Sequence, residues 1–154
     1  MQSRTLNILS LAPFLLLTLG GGTLIGALTG PDNWYAELAK PSFNPPGWLF
    51  GPVWSTLYVL IGIAGWRLWR NARDSLAMKL WWTQLVLNFA WSPAFFAAHQ
   101  IGLAFGIIVA LLAVIFAFIA VSWRADRTAA LLFAPYAAWV SFASVLNGSI
   151  WALN

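Results

Sequence analysis

Apolar residues in this chain come in long unbroken runs, and polar residues gather in the short intervals between them. From Thr5 to Thr29 there is no charge, and the next one is Asp32. A bilayer core about 30 Å thick takes roughly 20 apolar residues of helix, so residues 5–29 predict a first span. The run is longer than the roughly 7–15-residue core of a signal peptide, and no A-x-A site follows, so this helix is expected to stay uncleaved. Residues 51–67 predict a second span, which closes on Arg67, Arg70 and Arg73. From Leu80 to Trp123 there is no Lys, Arg, Asp or Glu, a stretch too long for one crossing. A break at His99-Gln100-Ile101-Gly102 divides it into spans 78–98 and 102–123. A fifth, 128–151, follows the polar link Arg124–Arg127. The predicted fold class is an all-α membrane protein, a five-transmembrane-helix bundle forming one domain over residues 1–154.

The interval 30–50 does not follow the pattern of the other links. It holds Pro31, Pro41, Pro45 and Pro46 together with Trp34, Tyr35, Phe43 and Trp48. Within it Asp32–Lys40 predicts a short helix, with Asp32 capping the start, Lys40 suited to the end and Pro41 stopping it. Loops longer than roughly 12–15 residues are functional or disordered, and rings and prolines at this density argue for a folded lid.

Composition confirms the class and narrows the partners. Of 154 residues, 61% are hydrophobic and 8% charged, against about 25% charged for a soluble domain. There is no cysteine, which removes disulfide and thiol chemistry. The net charge of +4 does not point to nucleic acid, because the basic residues stand at span ends. Arg4, Arg67, Arg70, Arg73, Lys79, Arg124 and Arg127 fall on one side of a five-span topology and Lys40 alone on the other. That predicts a cytoplasmic amino terminus and an outward lid in a bacterial inner membrane.

Three helical faces carry candidate chemistry. Gln84, Asn88, Trp91 and Phe95 share one stripe of the third span, Trp54 and Tyr58 are i, i+4 on the second, and Trp139, Ala143 and Leu146 line up on the fifth with Asn147 beside them. Lipid offers an amide no partner, so Gln84 and Asn88 should face the interior. Flat apolar walls with a few polar handles make a small-molecule cavity. Amides also act as glue between helices, and Trp and Tyr collect at membrane interfaces, so spacing alone leaves packing and ligand binding both open. Trp91, in mid-span, is the aromatic that an interfacial belt does not explain. Pro93 and Pro135 should kink helices or mark their starts. His99 reads first as a solvated turn histidine and second as a haem ligand. All four acids fall in links, and no metal-spaced cluster or Ser-His-Asp set exists, so acid–base catalysis has no residues to use. Gly22/Gly26/Gly30, Gly102/Gly106 and Ala90/Ala94/Ala98 have small-xxx-small spacing, suited to close helix contact.

Longer motifs add a resemblance. Trp34-Tyr35-x-x-Leu38-x-Lys40-Pro41-Ser42-Phe43-Asn44-Pro45-Pro46-Gly47-Trp48, then Val53-Trp54 and Tyr58, resembles the TspO/MBR family of bacterial tryptophan-rich sensory proteins and mitochondrial translocator (peripheral benzodiazepine receptor) proteins. Gln84-x-x-x-Asn88-x-x-Trp91-x-x-x-Phe95-Phe96 and Pro135-Tyr136-x-x-Trp139-x-x-Phe142-Ala143-x-x-Leu146-Asn147 are similar to its third- and fifth-span signatures. The resemblance covers nearly the whole chain. It implies a five-helix bundle, usually dimeric, that takes porphyrins and drug-like aromatic molecules beneath its first loop. The implied ligand-binding residues are Tyr35, Pro45, Trp54, Tyr58, Asn88, Trp91, Phe95, Trp139, Ala143 and Leu146. It also implies a homodimer through the third span, which gives Ala90, Ala94 and Ala98 a role. The animal cholesterol pattern is missing, because Gly148 or Ser149 stands at its aromatic position and Ala152 at its basic one.

Three functions follow as expectations. The first is a membrane sensor that binds protoporphyrin IX, or haem, as ligand and requires no cofactor. The second is light-dependent oxidative degradation of protoporphyrin IX, with Trp54 and Trp139 as the candidate catalytic residues, since indole is readily oxidised beside a photosensitiser. The third is porphyrin or lipid transport, ranked last because the sequence shows no inverted repeat.

Overall fold

The computed structural model describes residues 8–154; Arg4 and the expected start of the first span at Thr5 lie outside the described residues. Six helices follow in order among the described residues. These are α1 (Ala12–Leu28), α2 (Asn33–Glu37), α3 (Phe50–Asn71), α4 (Leu76–Ser92, running on through a π turn at Pro93–Ala97), α5 (Ile101–Ala125) and α6 (Arg127–Leu153). No strand occurs among the described residues. Three helices, Gly47–Asn71 (α3 with its entering turn), Ile101–Ala125 and Arg127–Leu153, are long and apolar enough to cross a bilayer. The stretch Ala12–Leu28 of the apolar α1 is shorter among the described residues, and α4 carries Lys79, Gln84 and Asn88 and changes pitch at Pro93.

Local chemistry explains where these helices start, bend and end. Asp32 Oδ1 accepts from the Tyr35 amide at 3.0 Å, capping α2 as predicted. The helix stops at Glu37 and not at Lys40, whose ammonium reaches back to the carbonyls of Ala36 and Leu38 at 3.2 and 3.1 Å. The second predicted span runs past residue 67 to Asn71, with Arg70 in its last turn, where a cation suits the helix dipole. Pro93 has no N–H to give, and the next turn widens so that Ala98 N–H bonds Pro93 O at 2.9 Å. His99 takes φ 55°, the left-handed region, and reverses the chain into α5 at the predicted break. Pro135 stands in the first turn of the segment Ala134–Leu153, which follows an interruption of α6 at Phe133, as expected of a proline that kinks a helix or marks a start. In α1 a π turn at Leu16–Gly20 places the buried Thr18 hydroxyl 3.0 Å from Phe14 O and 2.8 Å from Tyr58 O, tying α1 to α3.

The core lies between α3, α4, α5 and α6. Trp81, Phe118, Phe133, Tyr136 and Ile61 are wholly buried, and Phe118 stacks on Phe133 at 3.9 Å. Two glycines allow helices to approach rings: a Cβ on Gly22 would sit 2.1 Å from Tyr58, and one on Gly65 would sit 2.3 Å from Trp81. The alanine stripe expected at a dimer face does not share one surface. Ala90 and Ala98 are exposed, whereas Ala94 is 8% exposed and packs inward with Phe95 and Ala104. The π turn rotates the end of α4, which i, i+4 spacing did not anticipate.

Candidate functional site

A chain of polar side chains crosses the bundle interior. Tyr58 of α3 donates its hydroxyl to Asn88 Oδ1 at 2.8 Å, Asn88 Nδ2 donates to the Tyr136 oxygen at 2.8 Å, and Tyr136 donates to Gln84 Oε1 at 2.9 Å. Gln84 and Asn88 are 0% and 5% exposed, facing inward as lipid requires. Both ends of the Asn88 amide are therefore engaged, so it is not the free polar handle that spacing suggested. Tyr136 was missed as a site residue. Its signal was available, because residues 136, 139 and 143 share one face of α6.

Aromatic rings gather around this chain. Trp54 packs on Tyr58 at 5.5 Å and meets the edge of Tyr136 at 6.4 Å. Trp139 lies against Phe50 at 5.8 Å and Phe142 at 5.5 Å, two rings that spacing did not single out. Its Nε1 is buried and has no hydrogen-bond acceptor among the described residues. Trp91 packs on Phe95 at 5.4 Å, and its Nε1 donates to Asn147 Oδ1 at 3.0 Å. Ala143 and Leu146 are buried on the same side of α6. Trp91 touches both the Trp54–Trp139 cluster and a second one formed by Phe95, Leu146 and Tyr35. Pro45 is placed in the loop, its carbonyl accepting from Asn44 Nδ2 at 3.3 Å. These rings pack on one another, and shallow apolar depressions lie elsewhere, along α1 and between α5 and α6.

The loop roofs this arrangement and is fastened at three points. Thr29 and Ser92 hydroxyls meet at 2.8 Å. His99 Nε2 pairs with Asp32 Oδ2 at 3.1 Å while its ring stacks on Trp34 at 4.1 Å, so the turn histidine is part of the lid's attachment. Asn154 grips the Ala39 backbone twice, accepting from its N–H and donating to its carbonyl, both at 2.9 Å. The Tyr35 amide, ahead of the His99 contact, holds the Asp32 carboxyl below its ordinary range. Tyr35 itself reaches Phe95 and Phe96 edge-on at 6.0 and 5.2 Å, and burial pushes its phenol up, keeping it neutral.

Residues 14–152 match the TspO/MBR family profile. The chain belongs to the TspO/MBR family. It is 38% identical to the protein CrtK of Rhodobacter capsulatus over 133 residues, covering 84% of this chain and 83% of the relative. It is 40% identical to the tryptophan-rich protein TspO of Archaeoglobus fulgidus, covering 97% of this chain and 99% of that one. The human translocator protein is 41% identical over 130 residues, 79% of this chain and 75% of its own. Membership and the apolar helices make this TspO/MBR chain an integral membrane protein.

The end of this TspO/MBR bundle away from the lid is closed by an ion pair that the sequence did not reveal. Arg67 Nε and Nη2 donate to the Asp126 carboxylate at 3.0 and 3.1 Å, while Asp126 Oδ1 also accepts from the Ala129 amide at 3.1 Å and caps α6. Burial would raise the Asp126 carboxyl, but the hydrogen bonds from Arg67 and Ala129 outweigh it and hold the group below its ordinary range.

Proposed function

We propose that this TspO/MBR protein is a membrane-embedded binding and sensory protein for a flat aromatic ligand of the tetrapyrrole class. Protoporphyrin IX comes first, and haem and drug-like aromatics belong to the same chemistry. In this reading α1, α3, α4, α5 and α6 are the five spans, the amino terminus faces the cytoplasm, and the loop faces outward. The unpaired indole N–H of Trp139 carries the reading. A buried donor left unmatched costs about 1–3 kcal/mol, a cost that a ligand bearing a carboxylate or carbonyl would offset. Each ring stacked on the ligand adds about 0.5–1.5 kcal/mol beyond area burial. Trp54, Trp91, Phe95 and Trp139 would form the walls, Tyr35 and Pro45 the roof, and Ala143 and Leu146 the floor. Asn88 would act through Tyr58, which it holds. Because the rings pack on each other, entry would require the loop to lift.

Light-driven oxidation by Trp54 and Trp139 would need the same bound complex, so binding is tested first. A homodimer through α4 would rest on Ala90 and Ala98, since Ala94 is turned inward. Cholesterol is outside this reading, for want of the aromatic–basic pair near residues 148–152.

The experiment is quenching of tryptophan fluorescence by protoporphyrin IX in detergent. Trp139→Phe keeps an aromatic ring, smaller than the indole, and removes the N–H; at least about tenfold weaker binding is expected, the worth of one hydrogen bond. An unchanged affinity would count against this pocket.

A further inference from the structure

Of the three points that fasten the loop, one can gain or lose a proton near neutral pH. The Thr29–Ser92 pair joins two hydroxyls, and Asn154 holds Ala39 through a side-chain amide and the backbone, so neither changes charge between about pH 5 and 8. The third joins an imidazole to a carboxylate, with His99 Nε2 3.1 Å from Asp32 Oδ2. His99 is the one histidine of the chain, and imidazole is the side chain whose ordinary charge change falls in that window. Its backbone takes φ 55° where the chain turns into α5, and its ring lies over Trp34, 4.1 Å away and 19° from parallel.

The surroundings leave Asp32 as the charged partner of His99. No Asp, Glu, Lys or Arg occurs in residues 8–31, 41–66, 80–123 or 128–154. On the loop itself Glu37 and Lys40 remain. Lys40 Nζ is taken up by the carbonyls of Ala36 and Leu38 and by the Tyr35 ring, 4.6 Å away. Glu37 has no ion-pair partner among the described residues. The Tyr35 amide, ahead of His99, holds the Asp32 carboxyl below its ordinary range, so Asp32 stays ionised while an imidazole titrates.

We infer that His99 and Asp32 form a proton-controlled latch on the loop, fastened when the imidazole is charged and loosened when it is neutral. One proton strengthens two contacts. The imidazolium attracts the Asp32 carboxylate, and its positive charge is drawn to the π face of the indole beneath it. Without the proton a neutral hydrogen bond and a ring stack remain. The latch is therefore strongest near pH 5 and weakens as the pH rises through the imidazole range. Trp34 also meets the buried Phe95 edge-on at 6.1 Å, a ring assigned above to the wall of the ligand site. Control of ligand entry by pH rests on that reading; the latch itself does not.

The test is hydrogen–deuterium exchange of the whole chain in detergent, without ligand, at pH 5.5 and 8, with rates corrected for the intrinsic effect of pH. Loop amides between residues 33 and 44 should lose about fivefold in protection at the higher pH, the scale of exposed charge contacts. Amides between the buried Ile108 and Ile115 of α5 report the integrity of the core and should not change. His99→Gln keeps a donor for Asp32 but takes no charge, and the fall should vanish. Asp32→Asn keeps an acceptor for the Tyr35 amide but loses the carboxylate, and the fall should shrink. Glu37→Gln should leave it intact. No fall in the parent protein, an equal fall in His99→Gln, or its loss in Glu37→Gln would each overturn the latch. Because no ligand is present, the outcome does not depend on whether porphyrin binds.

Discussion

Two tryptophans on different helices show how differently the two ends of the bundle are built. Trp81 is wholly buried, its Nε1 donates to Ile61 O at 2.9 Å, and its ring fits against the bare backbone of Gly65. Every feature of the indole is matched by the protein itself. Trp139 lies among Phe50 and Phe142 beneath the loop, with a buried N–H that nothing in the described residues accepts. The same side chain is a structural element at one end and an unfinished contact at the other. Burial alone does not separate the two roles; the state of the polar atom does.

That contrast can be broken or sharpened by thermal melts of variants in one detergent. The largest loss is expected for Trp81→Ala, about 3–5 kcal/mol, because it leaves a ring-sized cavity and strands the Ile61 carbonyl. A loss as small as that of a surface substitution would mean that the closed end is not fitted as described. Tyr136→Phe should cost about 1–3 kcal/mol, since Asn88 loses its acceptor and Gln84 its donor at once. Asp126→Asn should cost at most about 1 kcal/mol, because Arg67 is partly exposed and the solvent screens the pair. The sign of its pH dependence follows from the lowered folded-state value. The ionised carboxylate stabilises the fold fully above the ordinary carboxyl range, and that contribution is lost as the pH falls from about 4 through the folded value. Melts between pH 7 and 3 should show this fall in the parent protein and a smaller one in Asp126→Asn, where the lowered Asp32 carboxyl still contributes. The smallest change is expected for Trp139→Phe, because the ring area it removes is offset by the loss of a buried donor that has no acceptor, although it is the variant expected to lose most porphyrin affinity. If it destabilised as much as Trp81→Ala, the two indoles would not differ in kind.

Much of this was readable in the residues. The charge-free runs located the helices, Asp32 announced its cap, and His99 fell at the reversal because a polar pair interrupted an apolar stretch. The motifs around Trp34–Trp48 and Gln84–Phe96 gave the family, which the profile match bears out. What spacing could not supply were consequences of three-dimensional closure. The π turn after Pro93 rotates Ala94 inward, so a stripe drawn with a constant pitch fails there. Asn88 lost its expected freedom because Tyr58 and Tyr136, on two other helices, converge on it. Arg67 and Asp126 stand 59 positions apart, and a charge pattern along one helix gives no hint of such a pair.

The grip of Asn154 on Ala39 makes α6 a tie rod. One end of the helix is hooked to the loop, and the other is anchored through Asp126 to Arg67 on α3. Between the two hooks lie 27 residues, roughly 40 Å at the ordinary rise per residue. Lifting the loop, as the proposed ligand entry requires, would load a strut long enough to cross a bilayer, giving an event beneath the loop a mechanical path to the opposite end of that helix.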